Sequence, residues 1–180
     1  ATLIRYERCF ADRHLAFGAA AEMPVVNGTY GEQSAAIPQR VPDIPLYFQY
    51  AWGADRSSHI RASAVLRDMY LHDLTRDSNT SLLGWGVQFS GTIRCCSVLR
   101  LFMNGVYGKG ITPYIQDLTG SGLDLSPDPP ATAPTQTTPT SGWPAAAQFN
   151  LTPRGFLSAP VQTLLLAPTH ECCAPTHPRS

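Results

Sequence analysis

A mainly β fold, arranged as a sandwich or jelly-roll-like domain, follows from three features of the sequence. Short runs of aliphatic and aromatic residues alternate with polar ones at period two, as half-buried strands require. Turn formers bound those runs, as they should bound strands. After residue 118 the composition shifts to Thr, Pro and Ser, which sets an extended proline-rich C-terminal arm behind a β-rich domain of residues 1–118.

Leu3 to Arg8 and Leu46 to Ala51 are the clearest early strands, and Pro38, Pro42 and Pro45 keep the approach to the second extended. Residues from about 58 to 74 carry two patterns. As a helix capped by Ser57 or Ser58, they place Ala62, Val65, Leu66, Met69, Tyr70 and Leu74 on one side. As a strand, Ile60, Ala62, Ala64 and Leu66 alternate with Arg61, Ser63 and Arg67. The helix propensity of Ala, Leu, Arg and Met favours one helix at 58–74. From Leu82 to Phe89, Trp85, Val87 and Phe89 share a face, with Gly84 and Gly86 opposite, where glycines mark a bulge or another backbone close by.

In residues 90–110, Ile93, Cys95, Ser97, Leu99, Leu101 and Met103 form an uncharged face, expected to be buried, opposite Arg94, Cys96, Val98, Arg100 and Phe102. Asn104 and Gly105 supply the positive φ values of a hairpin turn, and Val106 and Tyr107 begin the return strand. Residues 119–148 form a Thr/Pro-rich linker or arm, too poor in apolar residues to offset ordering entropy alone. Residues 149–180 regain Phe149, Phe156, Leu157, Val161 and Leu164 to Leu166, enough for a docking segment followed by a tail.

Charge excludes several classes. The 13 basic and 13 acidic residues cancel, Lys109 is the single lysine, and no basic run exists, so nucleic acid is not an expected partner. No stretch approaches the roughly 20 apolar residues of a bilayer-crossing helix, so no membrane span is expected either. Charged residues are only 14% of the chain, which suggests that much of the surface is covered. The chain opens at Ala1, and removal of an initiator methionine or of a signal peptide are both open readings.

Five cysteines occur, at 9, 95, 96, 172 and 173. Two adjacent pairs point their members apart, so one of each pair can meet its counterpart, and Cys96 with Cys172 or Cys173 is the candidate disulfide, worth about 4 kcal/mol in the chain-entropy model. The "HECC" segment lacks the spacing of a zinc site, and no metal or cofactor is expected. Three of the four asparagines, Asn27, Asn79 and Asn150, open N-glycosylation sequons, which points to a secreted, surface or virion location.

The catalytic motifs searched for are missing: no GxSxG elbow, phosphate loop, HExxH or dinucleotide fingerprint occurs, and no catalytic residue is assigned. The expected function is therefore non-enzymatic: a subunit of a virion or extracellular surface assembly, partnered by protein subunits in a homo- or hetero-oligomer. In general character the chain resembles subunits of such shells, a fold-level analogy. One alternative is a secreted glycan- or ligand-binding module using Tyr47, Tyr50, Trp52 and Trp85. Another is a cysteine hydrolase in which His72 and Asp73 serve a thiol such as Cys9.

Overall fold

The computed structural model describes residues 3–26, 28–30, 34–53, 55–74, 77–115, 121, 123–127, 135–152 and 155–166. The chain is mainly β, and among these residues the helical structure is one 3-10 turn at Thr112–Tyr114. Its strands are β1 (Leu3–Phe10), β2 (Leu15–Glu22), β3 (Ser34–Ala36), β4 (Ile44–Trp52), β5 (Ser58–Asp73), β6 (Ser78–Arg94), β7 (Leu99–Lys109), β8 (Leu125–Pro127), β9 (Thr135–Thr137), β10 (Pro139–Gly142), β11 (Ala145–Thr152), β12 (Gly155–Val161) and β13 (Leu164–Leu166).

The pairings between these strands are antiparallel, and the large sheet runs β1-β2-β4-β5-β6-β7-β10-β13, with β11 joining β7 to β12 and β3 beside the end of β5. Since β10 and β11 both lie on β7, and β13 and β12 follow on their far sides, the chain makes an up-and-down meander eight strands wide. Hairpins of this kind need only tight turns. The connections β1–β2, β4–β5, β6–β7 and β11–β12 are short and lie at one end of the sheet, whereas the other end carries the long β2–β4 and β7–β10 connections together with the short β5–β6 one.

Register decides which side chains share a face. One face carries, row by row, Tyr6, Ala19, Leu46, Ala64, Val87 and Tyr107; then Phe17, Phe48, Ala62, Phe89 and Gly105; then Phe10, Leu15, Tyr50, Ile60, Gly91 and Met103. The opposite face carries Glu7, Gly18, Tyr47, Ser63 and Gln88, then Gln49, Arg61, Ser90 and Asn104. The apolar face is the open one. Leu66 is 52% exposed while the next residue, Arg67, is 1% exposed.

A second, small layer covers part of the polar face. The described stretches 110–115, 123–127 and 135–138 of the β7–β10 connection, here termed the lobe, pack there with the hairpin of β8 and β9. The buried apolar cluster of Met69, Leu71 and Leu125, flanked by Val26, Tyr30 and Leu82, lies between the lobe and the β5–β6 hairpin.

Several expectations are corrected. The helix at 58–74 is the strand β5, because pairing on both sides with β4 and β6 satisfies its backbone and outweighs weak helix propensity. Asn104 and Gly105 are not a turn: β7 continues through them, and the turn falls at 95–98. Cys95 is therefore exposed at that turn instead of buried on a core face. Within the segment read as linker or arm, Pro139–Gly142 forms β10 against β7.

Gly105 is small for a packing reason. A Cβ there would stand 2.4 Å from Cζ3 of Trp143, whose ring lies on the apolar face over this position. Gly105→Val must displace that ring, and the expected loss is about 1–3 kcal/mol, the usual cost of overpacking. Denaturant unfolding followed by tryptophan fluorescence measures it; an unchanged midpoint would refute the packing account.

Candidate functional site

The most elaborate constellation lies on the polar face, where the lobe meets the sheet. Arg67 of β5 is buried among five partner residues from the β2–β4 and β7–β10 connections. Its Nε donates to Asp43 Oδ2 at 3.0 Å, Nη1 donates to the Gly110 carbonyl and stands 3.3 Å from Asp124 Oδ1, and Nη2 donates to the Val25 carbonyl at 2.6 Å. The Tyr114 ring lies 5.5 Å from the guanidinium carbon. Its hydroxyl donates to Asp43 Oδ2 at 3.1 Å, with Glu22 Oε2 at 3.3 Å. Asp124 Oδ1 accepts from both the amide and hydroxyl of Thr112, at 2.9 and 2.6 Å. Two carboxylates and one planar cation thus tie the lobe and both strand connections to the sheet. Removing one partner of such a buried set strands a charge and costs about 3–5 kcal/mol.

Below this tie the polar face is lined with hydrogen-bonding side chains. Arg61 stacks 4.3 Å above the Tyr47 ring and donates to Gln49 Oε1 at 3.0 Å. Gln88 donates to Asn104 Oδ1 at 3.0 Å. The Tyr47 ring covers Gly18, where a Cβ would lie 2.2 Å from the ring. A cleft of about 210 Å³ opens between this wall and the lobe, bordered by Arg5, Tyr47, Ser63, Gln88, Ile111 and Tyr114. Among the described residues no group of three or more His, Cys, Asp or Glu side chains could hold a metal ion.

The opposite face has its own order. Tyr50 and Trp52 stack at 5.7 Å near the short-turn end, and Trp85 meets Tyr107 edge-on at 5.7 Å toward the long-connection end. Between them lie Phe17, Phe48 and Phe89, which with Trp143 wall an apolar groove of about 450 Å³. Arg8, over the Phe10 ring at 5.0 Å, is a charge on this face at the outermost strand.

The residues singled out from sequence scatter over this frame. Tyr47 is on the polar face, whereas Tyr50, Trp52 and Trp85 are on the apolar one, so the four do not converge. Cys9 lies near the short turns and His72 near the far end of β5, where its Nδ1 meets Asn79 Oδ1 at 2.8 Å. Asn79 is exposed on β6, and Asn150, on β11, stands 2.8 Å from the Gln148 amide nitrogen. The Cys96 thiol is free and exposed, while Asn27, Cys172 and Cys173 lie outside the described residues. Arg67, Asp43, Asp124 and Tyr114 were not singled out; Arg67 offered one signal, an arginine at a strand position flanked by Leu66 and Met69.

No known family model matches the chain, and no curated protein is significantly similar to it. Among solved structures, the outer membrane channel DcaP of Acinetobacter baumannii shares the fold at a TM-score of 0.65 and 14% identity. The match covers 90% of this chain and 43% of that one, so the chain spans less than half the length of the channel.

Burial pushes the Asp43 carboxyl above the ordinary carboxylate range, opposed by Arg67 and the Tyr114 hydroxyl. Burial, with Asp43 and Glu22 nearby, also raises the Tyr114 phenol, which stays neutral and able to donate. A raised acid binds its proton in the folded state before the unfolded chain does, so its contribution to stability grows as pH falls through the raised value and is lost as pH rises through it. Unfolding midpoints measured from pH 7 down to pH 4, about the unfolded value, should fall less steeply for the wild type than for Asp43→Asn. A steeper fall for the wild type would contradict this assignment.

Proposed function

We propose that this chain forms part of the wall of a membrane β-barrel channel, with the apolar face toward lipid and the polar face toward an aqueous passage. The observation that carries the reading is the inverted alternation of the sheet: large apolar side chains point to the open side, and arginine, glutamine, serine and tyrosine point to the side that bears the lobe. In water, a face presenting Phe48, Leu66, Val87 and Phe89 together would be a severe liability; in lipid each such side chain gains roughly 1.5–3 kcal/mol.

Dimensions agree. β4 has nine residues, within the ~9–11 of a tilted transmembrane strand, and aromatic pairs border the band at both ends as interfacial girdles do. Closed barrels and helices alone satisfy every backbone group in hydrocarbon, and no described helix is long and apolar enough to cross. In this reading the low overall charge reflects a surface covered by lipid. Among the described residues β1, β12 and β13 each pair on one side, and a closed wall requires these edges to be paired. The short turns face the periplasm and the long connections face outward, the usual arrangement of such barrels. The likeness to an outer membrane channel supports the same reading.

A pair of substitutions tests it. Phe48→Arg places a charge in the middle of the apolar band, where the expected cost is about 2–4 kcal/mol, and Ser63→Arg places the same charge on the polar face, where little cost is expected. Flotation of the refolded chain with phosphatidylcholine vesicles should be lost for the first and retained for the second. Equal behaviour of the two, or no association of the wild type with vesicles, would contradict the proposal.

A further inference from the structure

We infer that the lobe is the size-selecting element of the passage, folded inward at its mouth and held there by Arg67. This rests on the reading of the polar face as a channel wall.

The sheet is prepared for the lobe. At the end of β7, Gly110 turns the chain over the polar face with φ +65°, and a Cβ on it would stand 2.5 Å from Met69 Cε. Beneath the returning chain the wall is bare. A Cβ on Gly86 would lie 2.8 Å from Ile111 Cδ1, and one on Gly108 would lie 2.8 Å from the same atom. Side chains in these rows would hold the connection off the wall; glycines let it lie against it.

The lobe is then fastened at several points. Arg67 grips the Gly110 carbonyl and stands beside Asp124, and Asp124 holds Thr112. Thr135 donates to Ser34 at 2.9 Å, and the Thr29 amide donates to Leu125 at 2.9 Å, so the β2–β4 connection is bound to the same body. Both long connections are thereby drawn over the inward face at one level, that of the aromatic pair Trp85 and Tyr107. Ile111 and Tyr114 border the remaining cleft of about 210 Å³ above Tyr47 and Gln88. Passage of water and small hydrophilic solutes past this level is limited by the lobe, and Tyr114 is the side chain placed to set the limit.

Single-channel conductance of the reconstituted full chain, with liposome swelling in uncharged sugars of graded size, tests this. Tyr114→Ala and Arg67→Met should each raise conductance roughly twofold and admit larger sugars, whereas Tyr114→Phe, which keeps the ring, should not. Tyr114→Ala keeps the Arg67 contacts to Asp43, Gly110 and Asp124, and Tyr114→Phe loses the same hydroxyl contact to Asp43, so the pair isolates the ring and tests the inference even if Arg67→Met does not fold. A wild-type pore whose conductance and sugar limit are unchanged in Tyr114→Ala would overturn the role of the lobe alone. A wild type that conducts nothing would overturn the channel reading and this inference with it.

Discussion

The antiparallel ladder that joins β1, β2, β4, β5, β6 and β7 sets every other property of this chain. Each strand hydrogen-bonds its neighbours in continuous register, so successive residues are committed to opposite faces across the whole sheet. A one-residue slip anywhere would move arginines and glutamines among the phenylalanines. The separation of Phe48 and Leu66 from Gln49 and Arg67 follows from that register, as do the bare glycine patch and the site of the lobe.

On this ladder the two faces pose different problems. Among the described residues the apolar face is open apart from Trp143 over Gly105, and in the proposed reading lipid supplies the rest of its cover. Where the lobe lies on the polar face, the wall buries Arg67 with Asp43 and Asp124. That burial is costly unless the partners are all present, which makes the site specific: the Arg67 guanidinium is satisfied only when the lobe and both connections are in place. Stability of the lobe and the shape of the cleft are thus consequences of one set of contacts.

Much of the wall was legible in the sequence. Leu46 to Ala51, the alternation of Trp85, Val87 and Phe89 and the glycines opposite them identify strands and a close approach of backbone, which Gly84 receives from the Lys109 and Gly110 carbonyls, while Gly86 receives the Ile111 side chain. The residues from 58 to 74 misled because Ala, Leu, Arg and Met suit a helix in isolation, and only two neighbouring ladders decide for a strand. Asn104 and Gly105 misled because a glycine under Trp143 and a glycine in a turn look alike in sequence. The tie at Arg67 was not legible at all: Asp43, Asp124 and Tyr114 are far apart along the chain, and nothing local marks them. A continuous apolar stretch marks a membrane-crossing helix, whereas a nine-residue strand such as β4, with polar alternates, carries no such mark.

The central claim is that one face of the sheet meets lipid and the other meets water, and a nitroxide scan along β4 tests it most directly. Spin labels placed singly at positions 44 to 52 of the full chain in vesicles report access to oxygen, which concentrates in lipid, and to a water-soluble nickel reagent. The account predicts oxygen maxima at Ile44, Leu46, Phe48 and Tyr50 and nickel maxima at Pro45, Tyr47, Gln49 and Ala51, in strict opposition. Nickel access at every position, or oscillation with the two phases exchanged, would contradict it.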